Sequence, residues 1–225
     1  MSIREERKQQ SRHALLDAAL SLSTSGRSFS SISLREVARE VGLVPTAFYR
    51  HFQDMDELGK ELVDQVALHL KTILHQLTRM YISRPDTKIE TSIDLFFAAV
   101  EDNPEAWIFM IAERWGGAAV LRQAIAREID FLNQDLSQEL SKIEVTRHFS
   151  DGNDFKVLAN ILINLSFTWA MSWISLERQL DTPGTAQEKE QHNTQQRAQL
   201  RQYTITQVQL IFRGISNWER LPSSS

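Results

Sequence analysis

SLREVAREVGLVPTAFYRHF, residues 33–52, is the stretch whose reading decides the fold. Ser33 followed three residues later by Glu36 is a capping-box pattern: hydroxyl and carboxylate each satisfy a backbone N–H at a helix start. A helix therefore begins near Leu34. Leu34, Val37, Ala38 and Val41 recur at steps of three and four and form one apolar face, with Arg35, Arg39 and Glu40 outside it. Gly42 stops this helix, because glycine reaches a left-handed C-terminal conformation at least cost. Pro45 follows, a residue that loses no hydrogen bond in the first turn of a helix. A second helix is expected over 45–52. Two helices this close, joined by a glycine-containing turn, make a helix-turn-helix, the unit whose second helix enters the major groove of DNA.

The composition of the second helix separates a DNA reader from an ordinary helical hairpin. Phe48 and Phe52 lie four apart and can anchor it to a core, which leaves Thr46, Ala47, Tyr49, Arg50 and His51 on or near the outer side. Hydroxyl, imidazole and guanidinium groups suit phosphate oxygens and base edges, and the small Ala47 permits close approach to a thymine methyl. The competing reading is a solvated amphipathic helix with an idle polar face.

The run VGLVPTAFYRHF, followed by the acidic residues 54–57 and Leu58, resembles the DNA-binding region of the TetR family of bacterial repressors. The resemblance covers roughly residues 10–60 and carries the glycine, the aromatic pair, the histidine and the terminal phenylalanine in order. It implies an N-terminal three-helix DNA-binding domain, here residues 1–55, and a C-terminal ligand-binding and dimerisation domain, here 56–225. By family position Thr46, Tyr49 and His51 are the principal DNA contacts and Lys60 touches phosphate. Ser33, Arg35, Ala47 and Arg50 complete the expected DNA-binding set. Double-stranded DNA with a palindromic operator, a small hydrophobic ligand and a second copy of the chain are the partners this implies.

Charge supports a local rather than a bulk interaction with DNA. The chain of 225 residues has a net charge of −4, which argues against a nonspecific polyanion binder. Residues 1–60 carry nine Lys or Arg against eight Asp or Glu, and residues 61–225 sixteen against twenty-one. Arg4, Arg7, Lys8 and Arg12 fall in a polar N-terminal arm, which either lies along phosphates and the minor groove or is a frayed, solvated terminus. With no cysteine there is no disulfide, thiol nucleophile or Cys-based metal site, and a cytoplasmic location is compatible. The opening MSIREERKQQ has no apolar segment and does not read as a secretory signal.

Beyond residue 52 the chain reads as helix after helix, and the expected fold class is all-α. Ala14, Leu15, Ala18, Ala19 and Leu22 predict a first helix over 12–25, ended by Gly26. A long helix from about 56 to 82 ends at Arg84-Pro85, and further helices are expected over 89–100, 104–115, 118–143, 155–180 and 195–221. DTPGTAQEKEQHN, 181–193, reads as a polar connection. VLANILINLSFTWAMSWISL, 157–176, has no charge and is long enough to span a bilayer. Its Asn160, Asn164, Thr168, Ser172 and Ser175 form a polar stripe that lipid would waste, so it is expected to be buried almost all round by protein, with no membrane partner. On the last helix Leu200, Val208, Ile211, Ile215 and Trp218 share a side, the expected seat of the homodimer with the 155–180 helix.

No enzyme is expected. The sequence has no glycine-rich phosphate loop, no HExxH and no G-x-S-x-G elbow. His69 and His75 are about 240° apart round a helix, His148 reads as a loop or helix-end residue, and Glu101, Glu105 and Glu113 are explained by a charged helical surface. No catalytic residue, metal or cofactor is assigned.

Phe96, Phe97, Val100, Trp107, Met110, Ile111, Phe131, Leu165, Trp169 and Trp173 supply bulky apolar volume in the C-terminal part. Core is their default reading; a subset would enclose an elongated apolar ligand site. AERWGGAAVLRQAIAREIDFLNQDL, 112–136, and SFSSISLREVAREVGLVPTAFYRHFQDMDELG, 28–59, resemble the FabR/DesT-like TetR regulators of unsaturated fatty-acid synthesis, which implies a long-chain acyl-CoA or acyl-carrier-protein ligand. Arg114, Arg122 and Arg127 are candidates for its charged end, or form structural ion pairs with Glu113 or Glu128. Trp115 departs from that pattern, where a smaller residue is expected. A sensor of another hydrophobic compound, controlling efflux or catabolism, and a helical adaptor with an incidental helix-turn-helix are the alternatives.

Overall fold

The computed structural model describes residues 3–83, 89–143, 146, 149, 152–178 and 185–216. Every regular element among them is helical: α1 (Ile3–Thr24), α2 (Leu34–Glu40), α3 (Pro45–Phe48), α4 (Met55–Ser83), α5 (Ile89–Asp102), α6 (Pro104–Glu113), α7 (Ala119–Leu140), α8 (Gly152–Arg178) and α9 (Ala186–Ser216), with one 3-10 turn at Phe29–Ser31. The all-α expectation holds. Arg84, Pro85, His148, residues 181–184 and Trp218 lie outside the described residues.

The helix-turn-helix is built by the local rules that its sequence carries. Ser33 Oγ accepts from the Glu36 amide at 3.3 Å while Glu36 Oε2 accepts from the Ser33 amide at 2.9 Å, a complete capping box. At the other end of α2, Gly42 takes φ +69°. Its N–H reaches Arg39 O at 3.0 Å and the Leu43 N–H reaches Ala38 O at 2.8 Å, the paired bonds of a Schellman stop. Pro45 then opens α3 at its first position. This helix is one turn long, not the two expected. Beyond Phe48 the chain tightens, with Arg50 N to Ala47 O and His51 N to Phe48 O spanning three residues instead of four.

Three other elements differ from expectation for physical reasons. α1 starts at Ile3, so the polar arm is its first turns. Residues 3–11 hold Arg, Glu, Lys and Gln, strong helix formers that need no apolar partner, and Glu5 and Glu6 favour the positive end of the helix dipole. Likewise α9 starts at Ala186, and residues 186–193 belong to it rather than to a loop. Thr185 and Glu188 form a second capping box there, with Thr185 N bonded to Glu188 Oε2 and Glu188 N to Thr185 Oγ1. α8 is long and apolar enough to cross a membrane, yet it is not buried all round. Leu158, Ala159, Ile163, Phe167, Ala170 and Ile174 are buried, whereas Val157, Asn160, Ile161, Thr168 and Ser175 are exposed along its opposite side.

The helices sort into two compact units, Met1–Lys71 with Asn103–Asp130, and Thr72–Asp102 with Phe131–Ser225. In the first, α1 packs on α2 and α6, and α2 on α3. Leu15, Leu16, Ala19, Val37, Phe48, Leu58, Phe109 and Leu121 are at most 1% exposed. Burial of a Leu or Phe side chain stabilises by about 1.5–3 kcal/mol, so these contacts, not the short helices themselves, hold the helix-turn-helix together. In the second unit α5, α8 and α9 pack on one another around Val100, Ala159, Ala170 and Ile205.

Candidate nucleic-acid interface

Phe48 and Phe52 are buried, their ring centroids 5.6 Å apart, and they fix which side of the recognition segment faces out. Thr46, Tyr49 and Arg50 are exposed, Tyr49 by 63%, and Ala47 is half-buried between them. Arg35 on α2 and Lys60 on α4 are exposed as well. The sequence-derived set is therefore exposed apart from the half-buried Ala47 and His51, and one exposed member, Ser33, is already engaged. Ser33 spends its hydroxyl on the α2 cap, where it also donates to Glu36 Oε2 at 2.8 Å. His51 is half-buried, and its Nδ1 has no hydrogen-bond partner among the described residues. Burial first, then the charges of Arg12, Lys8 and Arg50, lower its pKa, so the imidazole is a neutral donor at neutral pH.

Arg12 departs furthest from expectation. Expected in an arm that either follows phosphates or is frayed and solvated, it does neither and turns inward from α1. Its Nε donates to Glu61 Oε1 at 2.8 Å and its Nη2 to Glu61 Oε2, a two-pronged pair with α4, while Nη1 donates to the carbonyl of His51. The guanidinium plane also lies 4.1 Å over the Phe52 ring. Hydrogen bonding to Glu61 raises the Arg12 pKa further, so the charge is permanent.

The expected ligand residues divide between the two units. Trp107 and Met110 are buried and Ile111 half-buried in the first. Phe96, Phe97, Val100, Trp169 and Trp173 are buried in the second, where Leu165 is half-buried and Phe131 is 48% exposed, outside the core that its type suggested. Phe97 stacks on Trp173 at 4.0 Å and Phe96 meets Trp169 edge-on at 6.1 Å. Both indoles are tied down: Trp169 Nε1 donates to Gln207 Oε1 at 2.7 Å and Trp173 Nε1 to Glu101 Oε1 at 2.9 Å. Arg197 adds a bond to the same Glu101 oxygen and lies over the Trp173 ring, and Arg201 pairs with Asp94. Of the three arginines considered for an anionic ligand, Arg127 pairs with Asp64 and Glu128, Arg122 donates to the carbonyls of Gly116 and Gly117, and Arg114 lies over Trp115.

Residues 15–62 match the family model of the bacterial regulatory proteins of the tetR family, and residues 85–209 match that of the tetracyclin repressor-like C-terminal domain. The chain belongs to the TetR family. It is accordingly a DNA-binding transcriptional regulator and not an enzyme. Solved structures share the fold at low identity. A TetR-family transcriptional regulator from Syntrophomonas wolfei str. Goettingen aligns over 95% of this chain and 98% of its own, at 14% identity and a TM-score of 0.62. The fatty acid degradation regulator FadR of Bacillus halodurans aligns over 76% and 87%, at 13% identity and a TM-score of 0.57. A fatty acid metabolism regulator of Clostridium perfringens aligns over 93% and 100%, at 14% identity and a TM-score of 0.54.

Several residues of this TetR regulator that the structure makes prominent had weak sequence signals. Glu61 reads as one more acid on a charged helix, and its partner Arg12 is 49 residues away. Glu113 is 1% exposed and accepts the Phe29 amide at 2.7 Å across 84 residues of sequence. The T-x-x-E spacing at 185–188, by contrast, was a readable helix start.

Proposed function

We propose that this TetR regulator is a repressor that binds a pseudo-palindromic operator as a homodimer and responds to a hydrophobic ligand, a long-chain acyl-CoA, so as to control genes of lipid or unsaturated fatty-acid metabolism. The observation that carries the DNA half is the outward row Thr46, Tyr49 and Arg50 over the buried Phe48 and Phe52. Residues 1–55 serve as the DNA-binding domain and 56–225 as the sensor and dimerisation domain, acting in the cytoplasm. Tyr49, Thr46 and Ala47 approach bases, while Arg35, Arg50, His51 and Lys60 lie in reach of phosphates.

The ligand half rests on the aromatic group Phe96, Phe97, Trp169 and Trp173 with Leu165, on the FabR/DesT-like stretches in the sequence, and on the fatty-acid regulators among proteins of this fold. A sensor of another hydrophobic compound is the second reading, favoured by the hydrogen bonds that already hold both indoles in packed positions. For the dimer, the exposed side of α9 replaces the side read from sequence. Val208 and Ile215 are buried within their own chain and Leu200 and Ile211 are half-buried, whereas Tyr203 and Leu210 are exposed. On α8 the exposed polar stripe bonds to its own helix, Asn164 to Asn160, Thr168 to Asn164 O and Ser172 to Thr168 O, so it demands no partner and offers a smooth face.

Operator-shift titration tests the DNA half. In a homodimer with recognition segments about 34–36 Å apart, Tyr49→Ala combined with His51→Ala should weaken operator binding at least tenfold with the fold intact. A double variant that shifts the operator like wild type would show that another surface reads the DNA.

A further inference from the structure

We propose that Arg12 and Glu61 form a clasp that sets the orientation of the recognition segment, making Arg12 a positioning residue rather than a phosphate contact. The inference rests on the reading that residues 46–51 face the operator. Three elements converge on one guanidinium. Arg12 leaves α1, Glu61 answers from α4 with both carboxylate oxygens, and the carbonyl of His51, at the end of the recognition segment, takes a third donor. Phe52 covers a face of the same group at 4.1 Å.

The geometry suits arginine alone. Its rigid fork meets a carboxylate with two parallel bonds and still presents another N–H edge, whereas a lysine ammonium is a point charge that cannot hold acid, carbonyl and ring at once. Side chains of Arg12 and Glu61 are 27% and 35% exposed, so the pair is shielded enough to have a preferred geometry but open enough for its removal to leave a folded chain. What it restrains is specific. α3 is one turn long, and beyond it Arg50 and His51 are held by three-residue bonds with a single four-residue bond from Phe52 N to Phe48 O, so this end of the segment has little rigidity of its own. Fixing the His51 carbonyl fixes the backbone that carries Tyr49 and Arg50. A positioning error of this kind weakens the base and phosphate contacts of the segment together, and it follows equally from loss of Arg12 or of Glu61.

Salt-dependent operator titrations of Arg12→Gln, Arg12→Lys, Glu61→Gln and the Arg12→Gln, Glu61→Gln double variant test the clasp, with thermal melts confirming that each is folded at the assay temperature. The clasp predicts that all four weaken binding, by roughly tenfold and with one salt slope in common, and that the double variant is no worse than either single one. Glu61→Gln gives the sharpest sign: it removes a negative charge and yet should bind DNA less tightly. A direct phosphate role predicts the reverse pattern, a slope reduced by about one in Arg12→Gln, near-normal affinity in Arg12→Lys and unchanged or tighter binding in Glu61→Gln. That pattern overturns the clasp. Tyr49→Ala in the same assay separates the two readings: if it is silent the interface itself is misplaced, and if it weakens binding while the Arg12 and Glu61 variants do not, the clasp alone fails.

Discussion

Gly42 occupies a backbone conformation at φ +69° with no atom within 4 Å of where a Cβ would stand. A substitution there meets strain but no clash, so its cost isolates the left-handed conformation, about 1–2 kcal/mol for an L-residue with a Cβ. Gly42→Ala should therefore lower unfolding stability by about 1 kcal/mol in urea titrations, and Gly42→Asn by less, since asparagine tolerates this region. At the start of the same helix, Arg27 first, then the Ser33 amide and hydroxyl, hold the Glu36 carboxyl at a pKa of about 2 instead of 4.5. A depressed carboxyl pKa means stability that is present above pH 4.5 and lost as pH falls through 2. The group is solvent-exposed, so salt should shrink the effect. Wild type should lose a small part of its unfolding stability between pH 4.5 and 2, and Glu36→Gln should be slightly less stable at neutral pH but flatter over that interval. A circular-dichroism pH titration of both chains at two salt concentrations checks this. Residues of this kind were legible in the sequence because capping, the glycine stop and the proline start act within four positions of chain. Arg12 was not, because nothing local distinguishes a basic residue awaiting phosphate from one that meets an acid on another helix.

Helix ends and helix faces were read with unequal success. Apolar spacing marks the interiors of α1, α4 and α8, but polar stretches read as an arm at residues 3–11 and a connection at 186–193, where the structure has first turns of helix. In both places intrinsic propensity and a cap start the helix before any apolar face does. α9 shows the harder problem, since two apolar sides compete for the interior. Val208 and Ile215 face their own chain, and Tyr203 and Leu210, exposed by 62% and 64%, lie on another side. A charge at Ile215, 6% exposed, should destabilise the monomer because an ionised side chain in that position is unpaired. Leu210→Glu should instead leave a monomer with nearly normal helicity and abolish tight operator binding. Sedimentation and thermal melts of the two variants distinguish them: a Leu210→Glu protein that remains dimeric at micromolar concentration would move the assembly face away from this side of α9.

At the scale of the whole chain the acidic net charge of −4 leaves operator affinity to a few placed groups, and leaves its control to whatever the sensor distinguishes. Helices α4 and α7 each contribute residues to both compact units. A ligand can shift operator affinity only by the difference in its affinity for the DNA-competent and incompetent states, typically 1–3 kcal/mol or about 5–150-fold. A cis double bond bends an acyl chain, so under the acyl-CoA proposal straight and bent chains would meet the packed rings of Phe96, Phe97, Trp169 and Trp173 differently. Palmitoyl-CoA and oleoyl-CoA should therefore change operator affinity unequally, at fixed salt, by a factor within that range. Trp169→Phe removes the bond to Gln207 while keeping an aromatic ring, and it lies in the unit that does not carry the recognition segment, so it should alter the ratio between the two acyl chains and leave ligand-free operator binding nearly unchanged. Identical operator curves without ligand, with palmitoyl-CoA and with oleoyl-CoA would eliminate the acyl-CoA reading, leave the TetR assignment intact and direct the search to a different hydrophobic compound.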